Sequence, residues 1–338
     1  MSARWEDLAT RARGLATHLL SAADLDTLAR SPDLSALRDA LRAHDMLPAA
    51  GPVTPDGLEQ AVRRAAAACL RTLGRWGGRR NDLLAVVFED EDRHSLRAIL
   101  RGAVQHAPPA QRITGLIATP TLPERALATL SEQPTPIAIA AVLVAWGNPY
   151  VPPLYRDAAG TAPSILALEF RLTETFASRA LRGARASGST ALVEYAQETI
   201  DLENASAALV LASAETEITP QRAFVPGGKR LELAAFLEAV SARDAGETGR
   251  RLAAAFQPDP VAGVFGHDAS DPAALEDALL RKRIARQQAA AALDPAGPAS
   301  VLGYALGLRA EVLDLRRVIW GVALDAPRVS IARALVTA

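Results

Sequence analysis

The run Glu89-Asp90-Glu91-Asp92 sets four carboxylates side by side. All-α enzymes hold Mg²⁺ with such groups when two facing helices close them around a deep apolar pocket. The corresponding stretches downstream, Thr199-Ile200-Asp201 and Ala310-Glu311, keep only one acid each. No metal and no cofactor is therefore expected, and the cluster reads as a solvated helix start. Pro226-Gly227-Gly228-Lys229 is the one Gly-rich basic element. It lacks the first glycine and the Ser/Thr of a phosphate loop, so a turn is expected there. Gly74 to Arg80, with Arg71, brings four basic side chains near Trp76. That pattern can touch phosphate or lipid headgroups but is ordinary loop surface in most proteins. His18, His44, His94, His106 and His267 have no metal-ligand spacing with one another or with Cys69. No serine sits in a nucleophile elbow. Nothing in the chain composes an active site.

The acids belong instead to a repeat. Asp92-x-x-Ser95-Leu96, Asp201-x-x-Asn204-Ala205 and Glu311-x-x-Asp314-Leu315 follow one another at steps of 109 and 110 residues. A second thread, Leu58-Glu59-x-x-Val62, Leu168-Glu169-x-x-Leu172 and Leu275-Glu276-x-x-Leu279, runs at steps of 110 and 107. Two threads in the same order point to one helical unit used three times. The predicted fold is all-α, with units near 1–113, 114–223 and 224–338 in a pseudo-threefold arrangement.

Composition agrees with a helical chain. Of 338 residues 49% are apolar and only 4% aromatic. Ala, Leu, Arg and Glu, the strong helix formers, dominate. A net charge of −1 supplies no global field toward nucleic acid or anionic lipid. The single cysteine, Cys69, excludes a disulfide framework and reads as a small buried helix residue. The start, MSARWEDLATRARG, has acidic residues and no long apolar core, so no secretory signal is expected. The longest clean apolar run, Ile137 to Trp146, is about half of the ~20 residues that a membrane span requires. These features predict an intracellular chain that does not cross a bilayer by itself.

Each copy has four parts. An opening segment with helical spacing covers 19–41, 121–146 and 230–256, as in Leu25, Leu28, Leu34, Leu37 and Leu41. A Pro- or Gly-bearing break follows at 47–57, 147–163 and 257–272. The Leu-Glu helix comes next, and the segment with the acid closes the copy. After Asp92 the stripe is Leu96, Ile99, Leu100 and Ala103. After Asp201 it is Ala205, Ala208, Leu209 and Ala212; after Glu311 it is Leu315, Val318, Ile319 and Val322. The shared register predicts one buried helix face in all three copies, with Leu96, Leu100, Leu209, Leu315 and Ile319 in the core. The acid itself reads as a cap or first-turn charge, a role that suits Asp92 and Asp201 better than Glu311.

These segments resemble the C subunit of the prokaryotic V-type (A/V-type) ATPases, the counterpart of the d subunit of the eukaryotic V-ATPase. Copies in that family carry a pattern close to L-E-x-x-L-D followed by D-x-x-N-L/I-x-x-L-R. Residues 164–211 match it best and 90–102 fit it. Residues 301–321 resemble the family's closing segment, and 224–231 resemble the Gly-Gly-Lys link that opens its third unit. Ser95 and Asp314 depart from the asparagine, Ser206 replaces the arginine kept at Arg97 and Arg316, and Thr173 stands where Asp is usual.

The resemblance implies a non-catalytic rotor part whose three units surround a funnel. Its socket would receive the central D–F shaft, and its opposite face would rest on the proteolipid c-ring, near the stator membrane component. The protein would be peripheral on the cytoplasmic face of the cell membrane. It would contact the membrane only through the complex and bind no nucleic acid. Arg97, Arg101, Arg316 and Arg317 are the candidate shaft contacts. Two other readings stand beside this one, a free-standing helical-repeat adaptor that binds proteins in a groove and an all-α enzyme using the acidic cluster. Three copies alike in length favour closure over a solenoid, which requires atypical end repeats. Mg²⁺ binding lost on Asp92→Ala would favour the enzyme.

Overall fold

Polar side chains ahead of apolar stripes start the principal helices, and they recur at matching places. Thr54, Ser164 and Asp271 accept the backbone N–H of Gly57, Ala167 and Ala274, each three residues on. Asp33, Thr135 and Asp244 do the same for Ala36, Ala138 and Glu247. Such caps satisfy amides that have no partner inside a helix. The computed structural model describes residues 5–44, 52–150, 164–213 and 218–337. Among them the helices are α1 (Glu6–Ala16), α2 (Ala22–Ala29), α3 (Leu34–Ala43), α4 (Pro55–Gly77), α5 (Asn81–Val104) and α6 (Pro109–Arg112). Then come α7 (Glu124–Ser131), α8 (Pro136–Ala145), α9 (Ile165–Ala186), α10 (Thr190–Ser213), α11 (Pro220–Ala223) and α12 (Leu233–Val240). The chain continues with α13 (Ala245–Phe256), α14 (Ala262–Asp268), α15 (Pro272–Leu293), α16 (Ala299–Ala323) and α17 (Arg328–Arg333). No strand occurs among the described residues, and no helix there is long and apolar enough to cross a membrane.

The opening segments are pairs of short helices rather than single stripes: α2 with α3, α7 with α8, and α12 with α13. A capped turn separates the two in each pair. The break at 257–272 contains α14, while 47–51 and 151–163 of the other two breaks lie outside the described residues. Gly74 to Gly77 end α4 and Gly78–Arg80 form one 3-10 turn, so this basic stretch is helical and not a loop. The Arg11 guanidinium lies 5.2 Å from the Trp76 ring centroid. Cys69 is half-buried on α4.

The acids of the repeat do not begin helices. Asp92, Asp201 and Glu311 lie in the middle of α5, α10 and α16, and all three are buried. The helices run further back because buried Leu84, Val86, Val87 and Phe88 on α5, and Leu302, Leu306 and Leu308 on α16, extend the apolar face upstream. The stripe downstream is as expected: Leu96, Leu100, Leu209, Leu315 and Ile319 are all buried.

The described chain divides into two compact units. One takes 79–113 and 125–282. In it α5 lies along α9, and α9 along α10. Its apolar cluster joins Leu202, Ala205 and Leu209 of α10 to Phe236, Leu252, Phe256, Phe265, Leu275 and Leu279. The rings of Phe256 and Phe265 meet with centroids 5.0 Å apart. The other unit takes 4–78, 114–124 and 283–338. Its spine is α16, against which α1, α2, α3, α4 and α17 pack. Leu8, Leu25, Leu37, Leu41 and Leu73 are fully buried there. Each fully buried leucine stabilises the fold by about 1.5–3 kcal/mol.

Candidate functional site

Charge is concentrated where the acid-bearing helices meet the Leu-Glu helices. Within the first unit Glu169 of α9 is buried, and Arg101 of α5 donates to both of its oxygens, from Nη2 to Oε2 at 2.8 Å and from Nε to Oε1. Within the second unit Glu59 of α4 is likewise buried. It accepts Trp320 Nε1–H at 2.7 Å and Gly115 N–H at 2.8 Å, with Arg316 Nε 3.7 Å away. Trp320 follows Arg101 by 219 residues, the step that also separates Asp92 from Glu311. Equivalent positions thus supply an ionic donor in one place and a neutral one in the other. Gly115 has φ +77°, and a Cβ there would come within 2.8 Å of Arg316 Nη1. The left-handed backbone favours glycine here, whereas the Arg316 tip is the end of a flexible side chain that can shift.

A second cluster sits deeper on α5. Arg93 is fully buried, with Nη2 2.6 Å from Asp90 Oδ1, Nη1 2.8 Å from Glu203 Oε1, and its guanidinium 4.9 Å from the Phe176 ring centroid. Arg97 donates to Glu203 Oε2 and to Thr173 Oγ1, both at 2.6 Å. Burial by itself disfavours the Glu203 carboxylate, but Arg93 and Arg97 together hold it down to about 2. Burial likewise opposes charge on Arg93, and Glu203 and Asp90 override it and raise its pKa. Arg179 grips Glu89 as a fork, at 2.6 and 2.8 Å. The acidic run is therefore not a solvated helix start. Glu89, Asp90 and Asp92 are buried, and the guanidinium partners of Glu89 and Asp90 repay part of the desolvation.

Of the four sequence candidates, Arg97 and Arg101 lie on α5 in the first unit, and Arg316 and Arg317 on α16 in the second. Arg101 and Arg316 remain about half exposed. Arg97 is largely covered, and Arg317 donates to the Ala334 carbonyl at 2.7 Å. Sequence reasoning passed over Arg93, Glu203, Glu59 and Glu169 as interacting groups. Arg93 does carry a signal, because its counterparts are Leu202 and Val312.

The acids of the repeat hold backbone. Asp201 accepts the amides of Lys229, Arg230 and Leu231 at 2.9, 3.0 and 3.1 Å, fastening the Gly-Gly-Lys turn. A methyl group on Gly228 would collide with that carboxylate. Asn204 pairs with Val225 in both directions, accepting its N–H at 2.9 Å and donating to its carbonyl at 2.8 Å. Glu311 accepts Leu20 N–H at 2.7 Å, and Asp314 accepts from Val336 N–H and from the N–H and hydroxyl of Thr337. Leu20 and Leu231 each stand five residues before a core residue of an opening segment, Leu25 and Phe236. Burial raises Glu311 to about 7; the Leu20 amide opposes this and Asp314 adds to it. Among the described residues no group of His, Cys, Asp and Glu is gathered to hold a metal.

The site is thus an array of side chains that tie helices and chain segments together, repeated at matching registers. A comparison with curated proteins found no match. Residues 8–333, nearly the whole chain, match the family model of the ATP synthase (C/AC39) subunit, and the chain belongs to that family.

Proposed function

We propose that this protein is the central-stalk coupling part of a V-type ATPase or ATP synthase, seated between the D–F shaft and the membrane c-ring and without catalytic activity of its own. The family match over residues 8–333 carries this reading. Three helical units near 1–113, 114–223 and 224–338 would form the socket. The tie from Glu311 to Leu20, which joins the third copy to the first, supports a closed set rather than an open array. The buried ion pairs and clasps suit a body that transmits torque, because a body that twists under load would lose it. Arg101 and Arg316, half exposed beside their glutamates, are the better placed of the candidate shaft contacts. The protein would work at the cytoplasmic face of the membrane as a peripheral component. Mixing it with purified D–F pair, followed by size exclusion and calorimetry, should give a stable complex. No association at tens of micromolar, with normal coupling in cells lacking the gene, would refute the assignment.

A further inference from the structure

The Leu-Glu glutamate of the third copy stands open where its two counterparts are covered. Glu59 and Glu169 are buried beneath donors that the chain itself supplies, Trp320 and Arg101. Glu276, at the same register on α15, is exposed. The position on α10 that matches Arg101 and Trp320 is Val210, which is 42% exposed. Ser206 occupies the place of Arg97 and Arg316. α10 and α15 share one apolar cluster, in which Ala205 and Leu209 lie with Leu275 and Leu279. Apolar core is therefore present at this register, while the positions that supply polar donors in the other copies hold Ser206 and Val210. The field of Glu276 reaches Arg101, but that guanidinium is already forked onto Glu169.

We propose that Glu276 is the acceptor for an arginine of the central shaft, whose guanidinium reaches the carboxylate while its methylene stem covers Val210. The partner would then supply, at the third copy, the donor that the chain supplies to itself at the other two. Arginine suits both halves of the task, since its stem packs on apolar surface and its planar fork matches a carboxylate. One open position among three also suits a coiled-coil shaft, which has no threefold symmetry. The inference rests on the coupling reading.

The test is calorimetry of the purified D–F pair against the wild-type chain, Glu276→Gln, Val210→Arg and the control Glu174→Gln, an exposed acid on α9 paired with Arg171. Glu276→Gln should weaken binding about three- to tenfold and reduce its salt dependence. Val210→Arg gives the chain its own donor, so it should weaken binding at least as much without lowering the melting temperature. The control should bind as wild type does. Wild-type affinity in both site variants would overturn this inference and leave the coupling reading intact. Equal weakening by Glu174→Gln would also overturn it, because the effect would then be a general field. Failure of the wild-type chain to bind the shaft would remove the coupling reading and this inference with it.

Discussion

The pairs α5–α9 and α16–α4 are built on one register with opposite chemistry. The first is joined by ions: Arg101 forks onto Glu169, and Arg93, Arg97, Asp90 and Glu203 form a buried charged cluster. The second keeps the glutamate but bonds it directly to an indole and a backbone amide, with the guanidinium groups of Arg316 and Arg63 no closer than 3.7 and 4.0 Å. At the place of Arg93 stands Val312, itself buried. The repeat thus preserves where an acceptor sits and leaves free what satisfies it. The ionic version depends on completeness, because a buried charge is tolerated only with its partners in place. That demand falls on the deep cluster; at the rim, water can stand in for half-exposed Arg101, while buried Glu59 loses a bond if Trp320 is removed.

The largest expected effect follows from that difference. Glu203→Ala should destabilise the protein by about 3–5 kcal/mol in chemical denaturation, since it leaves Arg93 and Arg97 without their shared counter-charge. A loss below about 1 kcal/mol would mean that the cluster contributes nothing as a unit. Next come Leu100→Ala and Ile319→Ala, buried residues 219 apart on α5 and α16. Each should cost about 2–5 kcal/mol. Changes below about 0.5 kcal/mol at both would show that the shared register is misread.

A pH effect belongs to the second unit. The folded state holds Glu311 at about 7, above its ordinary 4.5, chiefly through burial. Its contribution is therefore whole below pH ~4.5 and is lost as pH rises through about 7, a change of roughly 3 kcal/mol. Glu311→Gln should flatten that slope between those pH values, and an unchanged profile would exclude Glu311 as its source. The smallest effects compare the two donors. Trp320→Phe should cost about 1–3 kcal/mol by leaving buried Glu59 one bond short. Arg101→Gln, at a half-exposed side chain, should cost less than about 1 kcal/mol. The reverse order would break the comparison.

The helices of the repeat were legible because spacing alone carries them. The stripe after each acid and the Leu-Glu thread mark the buried faces of α4, α5, α9, α10, α15 and α16. The roles of the acids were not legible. Asp201 and Glu311 act on amides 28 to 30 and 291 residues away, and no local pattern encodes a backbone donor at that distance. Glu89 and Asp90 looked like surface because charge usually is, yet Arg179 and Arg93 bring them inside. The copies could be read from the sequence, but the partner of each helix could not. Residues of α5 meet α9 of the following copy, and those of α16 meet α4 of the first. The glycines predict the turn at 226–229, but nothing local marks Asp201, in the middle of a helix, as its anchor.

The hydrogen bond from Leu20 to Glu311 has a consequence for biosynthesis. Its two ends are 291 residues apart, and the unit that it closes takes chain from 4–78, 114–124 and 283–338. Ribosomes add roughly 5–20 residues per second, so α1 to α4 would wait about 12–50 s for their spine to be made. The other unit, 79–113 with 125–282, is complete before α16 is synthesised. On the ribosome the middle of this protein can therefore fold first, while the apolar faces of the N-terminal helices stay open to chaperones until the last helices emerge.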